Sequence, residues 1–347
     1  MEQEQEASPL QPPARPLKVG IIYNLKKGIK AKAVDAEAEY DNIATVDAIR
    51  DALVSHGQQA VKLEAGPDLM DRLRQHPIDI AFNIAEGFFG RGREAQVPAL
   101  LNIVGVPFTG SDETTLCVAL DKALTKRLLG VSHIRTARYT VVTPGHPYSV
   151  AGLRFPLIVK PNAEGSSKGI SDVSIVTDRR QLDELVAKDE ELYDEPLLLE
   201  EYIEGREFTV GLLGNDGGIR VFEPMEICYR RPTQDDYHIY SYNVKQNYKQ
   251  YIDYRCPARL DVKMRDEMMQ MARRSFEALN CRDFARVDFR LSDDGRIWFI
   301  EINPLPGLAP HYSDYPMLAE FCGMPYDQLV YEILKAGAVR NGLWPRH

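Results

Sequence analysis

The sequence predicts an α/β protein of two or three domains, and three observations carry that reading. At 347 residues the chain exceeds the roughly 100–150 residues of the commonest single core. Its 44% hydrophobic and 27% charged content is that of an ordinary globular protein. Near the N-terminus, short apolar runs rich in β-branched residues alternate with stretches of helical period. That is the pattern of a parallel sheet with crossover helices.

The elements follow in order. Residues 1–16 (MEQEQEASPLQPPARP) are acidic and then proline-rich, and are expected to be a disordered tail without the features of a signal peptide. Lys18–Tyr23 reads as a buried strand. Ile43, Val46, Ile49 and Leu53 recur at helical spacing, and Gly57 is the stop. Residues 78–83 read as a strand and 95–103 as a helix. Residues 25–39 are charged without an apolar stripe and read as a surface loop, or a lid. One helix is expected over Thr114–Leu129, carrying Asp121 and Lys122 and ended by Gly130. Strands are expected at 139–142, 156–160, 197–201 and 208–213, and a helix at 180–186. Residues 226–257, dense in tyrosine, read as a long irregular excursion.

Composition narrows the function. No apolar run approaches the ~18 residues of a membrane span. The net charge of −9 argues against a nucleic-acid partner. The five cysteines, Cys117, Cys228, Cys256, Cys281 and Cys322, are odd in number and widely spread. They read as reduced thiols of a cytoplasmic protein.

Three stretches carry chemistry. In residues 285–303 (ARVDFRLSDDGRIWFIEIN) two alternating runs flank Asp294-Gly295, a strong two-residue hairpin signal. With that loop Asp293 faces Arg296, Asp288 faces Glu301, and Arg286 faces Asn303, so one sheet face gathers all four polar groups of the last two pairs. Val287, Phe289, Ile300 and Ile302 then point to a core. Two opposed carboxylates repel, and a divalent cation would compensate them; an all-oxygen set suits magnesium. Second, residues 157–170 (LIVKPNAEGSSKGI) place Lys160 at the end of an apolar strand. Gly165, Ser166 and Ser167 follow in a loop whose N–H groups and hydroxyls suit phosphate. Third, residues 197–210 (LLLEEYIEGREFTV) run a strand into Glu200, Glu201, Tyr202 and Ile203, with Glu207 entering the next strand. Such acidic and main-chain groups suit an adenine edge and ribose hydroxyls.

Taken in order, these stretches resemble the ATP-grasp superfamily and, within it, the D-alanine–D-alanine ligase family. The resemblance rests on NIAEG (83–87), PFTGSD (107–112), LDK (120–122), VKPNAEGSSKGIS (159–171), LLEEYIEGREFTV (198–210), Lys245 and ARVDF…EINPLPG (285–307). It implies an ATP-grasp fold with an N-terminal parallel-sheet domain, divided here at about 17–112, 113–215 and 216–340. It implies Lys122 and Lys160 at the ATP phosphates, with the loop from Glu164 through Gly165, Ser166 and Ser167 closing over them. Glu200, Glu201, Tyr202 and Ile203 would read adenine, Glu207 the ribose, and Lys245 the γ-phosphate. Asp288, Glu301 and Asn303 would hold two magnesium ions, or manganese. Arg286 and the N–H of Gly307 would steady the tetrahedral intermediate, and Ser166 retains the family's loop serine.

Departures from the family cluster on the amino-acid side. The first strand runs into Tyr23-Asn24-Leu25-Lys26 instead of a Gly-Gly-x-Ser-x-Glu segment, so Glu37 or Glu39 would replace its glutamate. Glu86 stands at a family histidine, and Arg91-Gly-Arg-Glu94 replaces Gly-Glu-Asp-Gly, bringing Arg91 and Arg93 to the donor pocket. Gln246 follows Lys245 where the family has tyrosine. Tyr312 and Ser313, in Pro310-His-Tyr-Ser313, fall at the second-substrate site. The expectation is an ATP-dependent carboxylate–amine ligase of small amino-acid substrates, cytoplasmic and homodimeric, with no nucleic-acid or membrane partner. The most economical product is D-alanyl-D-alanine for peptidoglycan; the alternative is a dipeptide ligase with other substrates in specialised metabolism. A non-catalytic ATP-binding regulator is a third reading, against which the intact Lys122, Lys160, Arg286 and metal trio speak.

Overall fold

The computed structural model of the chain describes residues 15–27, 39–164, 174–193, 195–230, 237–238, 240–241, 244–245 and 247–345. Arg15, inside the expected tail, pairs with Asp79 at 2.7 Å.

The first unit is the expected parallel sheet. β1 (Lys18–Tyr23) lies between β2 (Gln59–Glu64) and β3 (Ile80–Asn83). The crossovers are α1 (Ile43–Ser55), whose Thr45 N–H donates to Asn42 Oδ1 at the N-cap, and α2 (Leu69–Gln75). A 3₁₀ turn, Arg93–Ala95, then leads into α3 (Gln96–Val104).

The helix expected over 114–129 is two helices, α4 (Glu113–Leu120) and α5 (Lys122–Val131). Asp121 breaks the run because its carboxylate accepts from Leu124 N–H as an N-cap, a role that competes with helix continuation. Lys122 thereby opens a helix, and Gly130 lies inside α5 rather than ending it.

The second sheet is antiparallel in the order β4–β7–β5–β6: β4 (Tyr139–Val142), β5 (Leu157–Pro161), β6 (Ile175–Val176) and β7 (Leu197–Glu201). α6 (Arg179–Tyr193) buries Leu182, Leu185 and Val186 on it and runs well past the expected end at 186.

The third sheet runs β11–β10–β8–β12–β13, with β9 paired to β8. Its elements are β8 (Arg206–Leu213), β9 (Arg220–Val221), β10 (Met225–Tyr229), β11 (Ile252–Arg255), β12 (Phe284–Leu291) and β13 (Ile297–Asn303). β8, a strand of the third sheet, thus precedes the expected boundary at 215. The excursion expected at 226–257 holds β10, the short helix α7 (Tyr248–Tyr251) and β11, so it is not wholly irregular. α8 (Val262–Ala278) buries Met268, Met271 and Phe276 with Val287 and Phe289. The chain ends with α9 (Asp314–Phe321) and α10 (Tyr326–Arg340), and Leu329, Ile333 and Leu334 share one core with Val19, Ile21, Val46 and Ile49 of the first unit. No described helix is long and apolar enough to cross a membrane.

Candidate active site

The β12–β13 hairpin supplies the centre of the site. Asp288 pairs with Glu301 and Arg286 with Asn303, as the sequence predicts. The turn does not follow the prediction. Ser292 N–H donates to Arg296 O, so Ser292, not Asp293, faces Arg296, and the loop has three residues ending at left-handed Gly295 (φ 78°). The register returns to the predicted one through a shift between Asp288 and Phe289. That shift puts Phe299 into the core in place of Ile300, which instead lines a cleft with Glu200 and Tyr202.

Arg286 holds the pair together. Its Nε and Nη2 donate to Asp288 at 3.0 and 2.8 Å, and it lies 3.9 Å from Glu301 and 3.4 Å from Asp314. Asp314 also accepts from Tyr254 (2.7 Å) and Tyr240 (3.1 Å). Burial pushes the Asp288 carboxyl up to about 6 against the attraction of Arg286, with Glu301 adding repulsion. Asn303 Oδ1 accepts from Leu305 N–H at 3.0 Å.

Three buried lysines face this hairpin. Lys122 Nζ donates to Glu164 O and lies 3.9 Å from Glu301. Lys160 reaches one Glu200 oxygen at 2.9 Å, and Lys126 donates to the other and to Thr136 Oγ1 at 2.6 Å. Burial lowers Lys122 and Lys126. Burial also opposes the charge on Lys160, but Glu200 and Glu301 outweigh it and raise its pKa. Glu301 is held below the usual carboxylate range: burial opposes this, and Lys122, Lys160 and Arg286 outweigh it.

The cleft beside them is lined by Ala137, Ile158, Ile203, Trp298 and Ile300. At its edge Arg290 donates to Glu207 (2.8 Å), Tyr202 Oη (3.0 Å) and His238 O (2.7 Å), and Tyr229 donates to Glu207 (2.9 Å). A second pocket is lined by Lys26, Glu39, Asp41, Asn303, Gly307, Tyr312 and Ser313, and Lys245 and Arg286 line both cavities. A Cβ on Gly307 would lie 2.9 Å from Ser313 Oγ, so this turn passes close to that hydroxyl. A wider groove of about 690 Å³, lined by residues such as Leu213, Arg220 and Lys335, contains none of the candidate residues.

Glu39 joins the site through Arg93, whose guanidinium donates to Glu39 (Nε, 3.0 Å), Glu164 (2.7 Å) and Ala163 O (2.8 Å). Glu86 and Glu94 stand beside Glu39. Arg91 corrects the expectation: it is exposed, 3.7 Å from Asp121, and forms no part of this pocket. Gly165, Ser166, Ser167 and Gln246 lie outside the described residues.

Sequence reasoning missed Lys126, Arg290, Asp314 and the two tyrosines on it. Lys126 follows Lys122 by one helical turn, and Arg290 follows Asp288 by two strand positions, so spacing alone places each on its partner's face. Asp314 carries no such signal.

Known proteins resemble this chain along most of its length. The profile of the family described as "D-ala D-ala ligase C-terminus" matches residues 145–335. The D-alanine–D-alanine ligase of Pseudomonas fluorescens (strain Pf0-1) is 33% identical over 313 residues, 89% of this chain and 90% of that one. The D-alanine–D-alanine ligase of Syntrophotalea carbinolica is 34% identical over 310 residues, 89% of this chain and 94% of that one. In fold, the crystal structure of the Bacillus anthracis D-alanine–D-alanine ligase complexed with ATP superposes with a TM-score of 0.75 at 22% identity, covering 95% of this chain and all of that one.

Proposed function

The chain belongs to the D-alanine–D-alanine ligase family and is an ATP-dependent, peptide-bond-forming ligase with an ATP-grasp fold, and from that premise we propose how its residues divide the work. The observation that carries the proposal is that the cleft and the second pocket meet at Arg286 and Lys245, beside Asp288 and Glu301. A phosphoryl group passing from one cavity to a carboxylate in the other would cross at these residues.

ATP occupies the cleft. Ile203 main chain, with Glu201 and Tyr202, flanks adenine, and Glu207, oriented by Arg290 and Tyr229, takes the ribose. Lys122, Lys160 and Lys245 face the phosphates. Glu200 has both oxygens engaged by lysines, so it acts by aiming Lys160 rather than by reading adenine directly. Asp288, Glu301 and Asn303 fit magnesium: they are all-oxygen donors, and the two carboxylates are opposed, which a dication would relieve. When bound, magnesium supplies charge neutralisation to the transferring phosphoryl group.

The carboxylate of the first amino acid attacks the γ-phosphorus and releases ADP, giving an acyl phosphate. The amine of the second amino acid then attacks the acyl carbon. The resulting tetrahedral intermediate expels phosphate and leaves the amide after losing a proton. Arg286 and the Gly307 N–H stabilise the oxyanion. Tyr312 and Ser313 border the second amino acid, and Glu39, Glu86 and Arg93 the first. We place the three lobes at 17–112, 113–215 and 216–340, and the enzyme as a cytoplasmic homodimer. D-alanyl-D-alanine for peptidoglycan is the economical product. Glu86 and its acidic neighbours favour the second reading, a dipeptide of other amino acids. Amino-acid-dependent phosphate release, scored across a panel with mass spectrometry of the products, tests both; no stimulation by any amino acid would leave an ATP-binding regulator.

A further inference from the structure

The second pocket carries both signs of charge: Lys26, Lys245 and Arg286 line it together with Glu39, Asp41 and Asp314. Carboxylate oxygens of Glu39, Glu86 and Glu94 all lie within 4.8 Å of one another. Tyr40 Oη donates to Gly87 O at 3.1 Å and fastens the Glu39 segment to the Glu86 segment.

Charge within this cluster does not balance. Arg93 is the cation bonded within it, and its guanidinium is taken up by Glu39, Glu164 and Ala163 O; Lys122 also attracts Glu94, but its ammonium donates to Glu164 O. Glu94 is only 6% exposed, and neither it nor Glu86 has a hydrogen bond or ion pair among the described residues. A buried carboxylate without a partner is costly, and two side by side are more so. Burial and the neighbouring carboxylates accordingly raise both, Glu94 to about 8. Neither residue is in the lining of the second pocket; Glu39, which is, connects them to it, its carboxylate lying within 4.8 Å of both.

We propose that Glu86 and Glu94 bind a second cationic group of the donor amino acid, so that the substrate whose carboxylate is activated is a diamino acid or another amino acid with a cationic side chain. The inference rests on the ligase reading above. An ammonium between the two carboxylates would be hydrogen-bonded on both sides and would hold both ionised. A neutral side chain such as a methyl group leaves them unpaired, and sites built to bond a substrate N–H discriminate strongly against analogues that lack it. A divalent metal held there instead would leave donor preference independent of side-chain charge, which the assay below separates.

The full chain is assayed with ATP and magnesium using 2,3-diaminopropionate, 2,4-diaminobutyrate, ornithine, lysine and alanine, each as both enantiomers, and mass spectrometry identifies the residue in the N-terminal position of the product. A cationic donor should exceed alanine in kcat/KM by tenfold or more. Glu94→Gln and Glu86→Gln should each narrow that ratio about tenfold, mainly through the KM of the cationic donor, the effect of one charged hydrogen bond. Products made equally well or better from neutral donors would overturn this inference and leave the ligase reading standing, whether or not the variants fold. Absence of any product from this set would overturn this inference, and the ligase reading falls only if the wider amino-acid panel also yields none.

Discussion

Asp288 stands directly opposite Glu301 across the β12–β13 hairpin, and the pairing survives because two irregularities cancel. The three-residue loop closing on Gly295 moves the register by one, and the shift beside Phe289 moves it back. A one-residue slip turns every side chain to the other face of a strand. Without the second irregularity Glu301 would therefore leave the site.

Loss of either carboxylate should end turnover with the fold intact. Asp288→Asn and Glu301→Gln are near-isosteric and relieve the repulsion between the pair. Each should lower kcat by at least about 10²-fold, the scale of losing one electrostatic contact to the transition state. Circular dichroism should be unchanged. Wild-type kcat in either variant would remove these residues from the metal site.

Much of this site was legible because its residues are local in sequence. Alternation in 285–303 is enough to put Arg286, Asp288, Glu301 and Asn303 on one face, and the apolar strand before Lys160 is enough to place that lysine at a sheet end. The turn was misread because Asp294-Gly295 suits both a two-residue loop and the last two positions of a three-residue one. What stayed hidden depends on distant contacts. Arg93 meets Glu39 and Glu164 from 54 and 71 positions away. α10 completes the core of the first unit from the far end of the chain. β10 and β11 were obscured because tyrosines and charges interrupt their alternation, and Glu226 is buried there against Arg206 and Arg255.

Arg286 joins Asp288 and Asp314 beside the shared wall of both cavities, and its removal should therefore be severe. Arg286→Ala should depress kcat by roughly 10²–10³, with a smaller effect on the KM for ATP. Steady-state kinetics with ATP and donor varied separately would check it. A change confined to KM would make Arg286 a binding group.

Lys126 should matter to stability and to ATP binding at once. Its ammonium is wholly buried on Glu200 and Thr136. Lys126→Met leaves Glu200 balanced by Lys160 alone, and breaking a buried pair in this way costs about 3 kcal/mol. Lys160, drawn closer to Glu200, should then hold phosphate less well. Urea denaturation and the KM for ATP should worsen together; loss of stability with an unchanged KM would show that Lys160 is set independently of its neighbour.

The acidic cluster should also make the ligand-free protein less stable as pH rises. Burial lifts Asp41 to about 7 and, with help from Glu39, lifts Glu94 to about 8, from ordinary carboxyl values of 3.8 and 4.5. Between those limits the folded chain binds more protons than the unfolded one, so unfolding free energy falls with increasing pH. The stabilising contribution is complete below about pH 4 and is lost as pH climbs through 7 and 8. Melting temperature at constant ionic strength should therefore decline from pH 5 to 8.5. Glu94→Gln cannot ionise there, so its curve should be flatter and should cross above the wild type near pH 8. The difference between the two curves reports Glu94 together with the Glu86 carboxyl that it raises. Parallel curves would mean that Glu94 ionises in the folded state as easily as in water, and that its burial is compensated by a partner.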